Sequence, residues 1–319
     1  MSLKYQHYKY YLLDRYERDP DFIKVNGNKI PLKISAATKP YDIKWINMKI
    51  SDQFRKEQLR NSYLLVTISI VVAGAILYGL TELKTQSYVN ATNKKKVSIF
   101  ESIFVLSLPI WTYIVNYTLA WGLGELNVYE RHKTKTEELS SLILKNITSK
   151  FFNTAFIYAL IYYFGPKINF LAANGLVYTI VSLILINAGI NLALEFFQPF
   201  LLYADWTNKK VFSSVDKDGK IGLFQKQLNE LVQRPPYTYD YSYSYYLQMI
   251  YIVAFYGYLV PLITPMTIIA FIAQYWVDKR NLFRLFSSPI DLGYYLTDMI
   301  WKALELTLLL HAIGHIMWS

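Results

Sequence analysis

The chain has 319 residues, of which 53% are hydrophobic and 17% aromatic, and its formal net charge is +10. Its charges lie between long apolar segments rather than within them, which is typical of a polytopic membrane protein with basic loops. The absence of cysteine excludes disulfides, thiolate metal sites and cysteine nucleophiles. No phosphate-binding glycine loop or serine–histidine arrangement is present, so we expect neither an enzyme nor a cofactor, a metal site or a nucleic-acid partner.

Residues 1–61 predict a small cytoplasmic annex in front of a membrane domain at residues 62–319. Residues 5–18 favour a tyrosine-rich amphipathic helix. Asn26-Gly27 favours a tight turn between two short strands, at residues 22–25 and 29–34. Residues 51–60 then lead into the membrane with Arg55, Lys56 and Arg60, which favours simple anchoring of the helix and leaves specific lipid recognition as the alternative.

Seven apolar segments predict membrane-spanning helices, each of which needs about 20 residues. The third is short, and the fourth is long enough to tilt or break. The fifth and sixth belong to one apolar run in which Pro261 and Pro265 exclude a straight helix, so we expect a helical hairpin with its turn at residues 260–264. The predicted fold is an all-α integral membrane protein, a bundle of about seven transmembrane helices at residues 62–80, 97–121, 151–164, 171–203, 245–260, 262–277 and 294–318.

The distribution of basic residues predicts the orientation of the bundle. Most of the 33 lysines and arginines lie in segments 1–61, 122–150, 205–244 and 278–293. By the positive-inside rule, these segments and the N-terminus lie on the cytoplasmic (or matrix) side. The membrane itself stays open between the plasma membrane and an organelle membrane, with the mitochondrial inner membrane among the candidates.

The fourth apolar segment carries a polar stripe. Asn187, Asn191, Glu195 and Gln198 follow one another at spacings of four, four and three, which places them on one helix face. Pro199 removes the helical partner of the Glu195 carbonyl. A carboxylate beside a free carbonyl favours the lining of a cation path. Two other interpretations stay open: a polar seam that holds helices together, or a position of Glu195 at the cytoplasmic interface.

The last segment carries three charged residues on one face, Asp298, Lys302 and Glu305. Because the lysine lies between the two acids, the pattern favours a self-neutralised set of ion pairs within the membrane. His311 and His315 lie four residues apart near the outer end. Without a glutamate between them, they favour the membrane interface over a metal site.

Short motifs occur in three stretches of the chain. The first is KPYDIKWIN at residues 39–47, a P-x-D-I-x-W-x-N lead-in followed by Arg55 and Arg60. The second is YERHKTKTE at residues 129–137, followed by Lys150 and by FNT at residues 152–154. The third is QKQLN at residues 225–229, which continues through the sequence elements Arg234-Pro235, Tyr245, Pro261, Pro265, Tyr275 and DKRNL at 278–282.

In this order, the motifs resemble the seven-helix region of the OSCA family of hyperosmolality-gated, calcium-permeable channels, over about residues 36–319. These channels are relatives of the anoctamin and transmembrane-channel-like proteins. The resemblance implies a tension-gated cation path lined by the first five spans, with Asn187, Asn191 and Glu195 on a pore-lining helix. Calcium-binding acidic clusters of anoctamin relatives are not evident around Pro261 and Pro265. Family members usually have further spans and a large cytoplasmic domain, so we expect a truncated member.

Two functions from different classes follow from this resemblance. One is a reduced ion channel of the OSCA type that conducts along the polar stripe. The other is a non-conducting, channel-derived structural subunit of a large membrane complex; lipid scrambling, known among relatives, is a third function without separate support. In either case we expect the lipid bilayer as partner, together with a homo-oligomer or a larger membrane assembly.

Overall fold

The computed structural model describes residues 22–25, 28–31, 39–93, 99–164, 175–213, 224–226, 229, 233–235, 237, 239–287 and 294–319. The chain divides into two compact units, Met1–Ile43 and Lys44–Ser319. In the first unit, strands β1 (Phe22–Val25) and β2 (Asn28–Pro31) pair antiparallel, with Val25 opposite Asn28. This hairpin was predicted from Asn26-Gly27. The helix predicted over residues 5–18 lies outside the described residues.

The second unit is a bundle of helices, and the predicted all-α membrane fold is confirmed. Three described helical segments are long and apolar enough to cross a membrane, namely Asp52–Leu83, Leu176–Lys210 and Leu296–Trp318. After a 3₁₀ helix at Trp45–Lys49, the described α-helices are α1 (Asp52–Asn93), α2 (Ile99–Tyr129), α3 (Lys135–Phe151), α4 (Ile157–Phe164), α5 (Leu176–Phe197), α6 (Pro199–Ser213), α7 (Tyr239–Tyr256), α8 (Ile263–Arg284) and α9 (Tyr294–Trp318).

The third predicted span is the last part of a longer, continuous helical segment that begins with α3. Thr134 caps α3 by accepting a hydrogen bond from the backbone N–H of Glu137 at 3.1 Å. From α3 the chain continues through a π-helical turn at Phe152–Phe156 directly into α4. The segment looks short in the sequence because its first part is polar, although more than half of α3 is buried.

The fourth predicted span breaks at Gln198, which separates α5 from α6. Gln198 adopts a left-handed conformation with φ 44° and ψ 58°. Pro199 begins α6, a position at which the missing N–H of proline leaves no helical hydrogen bond unmade. The sequence allowed either a tilt or a break here, and the fold takes the break.

The predicted helical hairpin is formed by α7 and α8. Helix α7 ends at Tyr256 and α8 begins at Ile263, so Pro261 lies in the turn between them. Pro265 lies in the first turn of α8, where proline is tolerated. The hairpin therefore uses each proline at a place where it interrupts no helix.

Helix α7 occupies the centre of the bundle, where it packs against α3, α8 and α9. The Phe255 ring meets the Phe151 ring of α3 edge to face at 5.9 Å. On the α9 side, the Tyr251 hydroxyl donates to the Ala303 carbonyl at 2.6 Å. A Cβ atom at Gly314 would come within 2.2 Å of the Phe255 carbonyl oxygen, so glycine permits this close approach of α7 and α9.

Candidate functional site

The break between α5 and α6 is held by the end of α8. The Asn281 side chain donates to the Glu195 carbonyl at 2.8 Å, and the Arg280 guanidinium donates to the Phe196 carbonyl at 2.7 Å. Pro199 has no backbone N–H, so it cannot donate a hydrogen bond to a carbonyl at the C-terminal end of α5. Side chains of α8 supply the donors instead. The DKRNL motif at residues 278–282 thus stabilises the break between α5 and α6.

Hydrogen bonds from both sides surround the Glu195 carboxylate. Its Oε2 atom accepts from the Gln198 amide at 2.7 Å and from the Asn281 amide at 3.3 Å. The Asp278 carboxylate of α8 lies in the same region, where it accepts from the Tyr246 hydroxyl at 2.5 Å and from the Gln274 amide at 2.8 Å. Each carboxylate therefore has protein donors of its own.

Asn191 links the stripe to α8 at a deeper level. Its side-chain amide donates to the Gln274 side-chain oxygen at 3.1 Å, and both residues are buried. Asn187 lies one turn before Asn191 on α5 and is also buried. Its Nδ2 atom has no hydrogen-bond partner among the described residues.

A cavity of about 350 Å³, here called the vestibule, opens at the break in the helix. Glu195 and Gln198 contribute to its wall together with aromatic side chains of α2 and α7 and of the segment before α7. These aromatic residues include Tyr117, Tyr237 and Tyr241. The half of the predicted stripe that lies next to the break, Glu195 and Gln198, therefore lines an open space.

A second cavity, here called the neck, has a volume of only about 20 Å³. It shares Tyr117 and Tyr241 with the wall of the vestibule. Asn187 and Asn191 line it from α5, so the inner half of the stripe also faces a cavity. The other polar residues in its wall are Asn116, Lys150, Tyr113, Tyr245 and Gln248.

Lys150 places a positive charge in the wall of the neck. Its side chain is buried, donates to the Ser244 hydroxyl at 3.3 Å, and lies 5.0 Å from the centre of the Tyr241 ring. Sequence reasoning assigned this lysine to the cytoplasmic connection rather than to the site. The signal that points to it is its place immediately before the apolar third span.

The charged residues of the last helix lie apart from both cavities. The Lys302 ammonium pairs with Asp298 at 2.6 Å across one turn of α9. Glu305 is exposed and takes no part in that pair. The structure thus brings together two members of the predicted set.

A second polar cluster, here called the Glu130 cluster, joins the end of α2 to α3. It consists of Asn127, Glu130, His132, Ser141 and Lys145. Glu130 is fully buried and pairs with the Lys145 ammonium, while its other oxygen accepts from the Ser141 hydroxyl at 3.0 Å and contacts the His132 ring at 2.7 Å. Burial alone would raise the pKa of Glu130, but these hydrogen bonds outweigh it and lower the pKa to about 2.

Two of the sequence motifs meet beside this cluster. The Asn47 amide donates to the His132 carbonyl at 2.7 Å, and the Lys44 backbone N–H donates to the Lys133 carbonyl at 2.8 Å. The Lys44 ammonium also pairs with Glu138. The lead-in to α1 and the connection between α2 and α3 therefore form one packed unit.

The chain was compared with curated proteins and with models of protein families. A search among curated proteins found no match. The family described as "Anoctamin: Calcium-activated chloride channel" matches residues 8–292. The match covers well over half of the chain and includes α1 to α8 with both cavities. The chain therefore belongs to the anoctamin family of channel-like membrane proteins.

Proposed function

We propose that the bundle contains an ion-conducting path that enters through the vestibule and is closed at the neck. The observation that carries this proposal is the position of the predicted stripe. Its four members line two cavities that share Tyr117 and Tyr241. Polar walls within a membrane bundle are typical of substrate and ion pathways.

The neck must widen before an ion can pass through the bundle. A volume of about 20 Å³ has room for roughly one water molecule. Three amide atoms of residues in its wall, Asn116 Nδ2, Asn187 Nδ2 and Asn191 Oδ1, have no partner among the described residues. Once the neck widens, these groups are available to replace the hydration shell of a passing ion. Widening requires displacement of the Tyr241 and Tyr245 rings.

Lys150 decides the ion class that we propose. The resemblance to OSCA channels implies cations, and Glu195 in the vestibule supports that choice. In the wall of the neck, however, the charged group is the Lys150 ammonium, which repels cations and attracts anions. We therefore propose anions as the permeant class, in agreement with the chloride named in the family description.

Calcium activation is also named in that description, but the described residues offer no site that fits it. Among the described residues, no group of three or more histidines or acids lies close enough to hold a metal ion. Glu195 and Asp278 are already hydrogen-bonded by side chains of their own helices and neighbours. We propose instead that tension opens the neck, because a conformer with a larger area in the membrane gains population when the bilayer is stretched.

Ion flux into liposomes that contain the purified full-length chain tests conduction. We expect anion flux that increases on osmotic swelling. Lys150→Gln should lower the anion-to-cation permeability ratio about tenfold, which corresponds to roughly 1.4 kcal/mol at the barrier. Lys209→Gln removes an exposed lysine of α6 and serves as the matched control. Absence of any flux with the native protein would refute conduction, and a cation flux unaffected by Lys150→Gln would refute the anion path.

A non-conducting structural subunit is the second candidate, and the small volume of the neck favours it. A structural subunit needs no open path, and side chains that fill the neck would pack the bundle more tightly. In this case the native chain shows no flux under stretch and migrates with a larger membrane complex in native electrophoresis. The flux assay therefore separates the two functions.

A further inference from the structure

Helix α9 has two different faces. Met299, Ala303, Leu310 and Gly314 are buried, and the close approach at Gly314 joins this face to α7. The opposite face, here called the outer face, carries Asp298, Trp301, Lys302, Glu305 and Leu308. These residues follow spacings of three and four, so they form one stripe along the helix. The helix also lies after residues 8–292, which match the anoctamin family.

The outer face is open to its surroundings. The Lys302 side chain is 70% exposed and Leu308 is 75% exposed. Trp301 and Glu305 are exposed as well. Since Leu296–Trp318 is long and apolar enough to cross a membrane, this stripe faces either lipid or another protein.

Where α9 crosses the membrane from end to end, Glu305 falls near the middle of the bilayer. At a rise of 1.5 Å per residue it is about 17 Å from the first residue of α9, and the hydrocarbon core is about 30 Å thick. Within the described part of the chain, no hydrogen bond or ion pair reaches its carboxylate, whereas Lys302 is paired with Asp298. A carboxylate at this depth is costly in lipid, because hydrocarbon supplies neither water nor counter-charge.

The charges of the outer face indicate what covers it. One lysine and two acids give the stripe a formal charge of −1. A second copy of the chain, arranged about a two-fold axis along the membrane normal, would bring Glu305 close to another Glu305 and would increase the repulsion. A helix with a basic residue at the same depth would neutralise the stripe.

We propose that the outer face of α9 docks a membrane-spanning helix of another protein, whose lysine or arginine pairs with Glu305 at mid-membrane. Trp301 and Leu308 lie one turn to either side of Glu305 and supply apolar contacts for the docked helix. The interface is separate from the vestibule and the neck, so it does not depend on whether the bundle conducts.

A synthetic probe tests this proposal. The probe is a single-spanning leucine–alanine peptide with one central lysine, and a second peptide has leucine at that position. Energy transfer from the labelled full-length protein to each peptide is measured in liposomes. We expect the lysine peptide to bind threefold to tenfold more tightly than the leucine peptide, which is roughly the contribution of one polar contact between membrane helices.

Variants of the protein identify the contact. Glu305→Gln should abolish the preference for lysine, and Glu305→Lys should transfer it to a peptide with a central glutamate. Glu57→Gln, an exposed acid near the cytoplasmic end of α1, is the matched control and should leave the preference unchanged. Helix content measured by circular dichroism verifies that each variant is folded.

Two results would overturn the proposal. One is equal binding of the lysine and leucine peptides to the native protein, or a lysine preference that survives Glu305→Gln. The other is energy transfer between two labelled copies of the chain that disappears with Glu305→Lys, which would assign the outer face to a second copy. Leu308→Cys provides an independent measurement, since the native chain has no cysteine: a cross-link to a lysine peptide that carries one cysteine supports the proposal, and a cross-link between two copies of the chain contradicts it.

Discussion

The Glu130 cluster and the neck are both polar and both buried, but they use hydrogen bonds differently. In the Glu130 cluster, Glu130 accepts from three side chains and Lys145 reaches both Glu130 and Asn127. In the neck, Asn187 Nδ2 and Asn191 Oδ1 have no partner among the described residues. Buried polar groups that are fully bonded stabilise one arrangement, whereas unbonded groups are available to water or an ion. We therefore propose that the first region stabilises the fold and that the second lies on the permeation path.

The largest effect that tests this contrast is the loss of Lys145. Lys145→Ala leaves the Glu130 carboxylate buried with its counter-charge removed, so we expect the free energy of unfolding to fall by about 3–5 kcal/mol. Lys133→Ala is the matched control, because Lys133 pairs with Asp52 at an exposed site and should cost less than about 1 kcal/mol. Denaturant unfolding in detergent micelles gives both values. Equal losses would show that the Glu130 cluster is not a stabilising core.

Acid should weaken the same cluster. The folded-state pKa of Glu130 is lowered from 4.5 to about 2, so its contribution to stability is fully present above about pH 4.5 and is lost as the pH falls towards 2. The shift corresponds to about 3 kcal/mol at neutral pH. Unfolding of the native protein and of Glu130→Gln is compared from pH 7 to pH 3. The stability difference between them should narrow below pH 4.5, and a constant difference would contradict the role of the carboxylate.

Much of the fold could be predicted because apolar segments and prolines report on local structure. Pro261 and Pro265 predicted the hairpin of α7 and α8, whereas the length of the fourth span allowed either a tilt or the observed break at Gln198. The path of α3 into α4 was less visible. Its polar residues, among them Lys145, resemble a cytoplasmic loop in sequence and are buried because α2 and α7 pack against α3.

Long-range partners explain what sequence reasoning missed in the site. The spacing of the stripe identified Asn187, Asn191 and Glu195 on one face of α5. Pro199 leaves the Glu195 carbonyl without its helical partner, and Asn281 donates to it. This contact could not be predicted from a pattern, because Asn281 and Glu195 are 86 positions apart. The same holds for Lys150, whose place in the neck depends on how α3 meets α7.

The smallest expected effect concerns Asn187. Asn187→Leu should change the free energy of unfolding by less than about 1 kcal/mol, since no protein partner of the Nδ2 atom is lost. Asn191→Leu is the control with matched chemistry. It breaks the hydrogen bond to Gln274 and leaves the buried side-chain oxygen of Gln274 without this donor, at a cost of about 1–3 kcal/mol. Thermal unfolding of both variants measures the difference, while the liposome assay should show reduced ion flux for Asn187→Leu. A large loss of stability with Asn187→Leu would assign this side chain to helix packing, and the neck would then be a polar seam rather than a path.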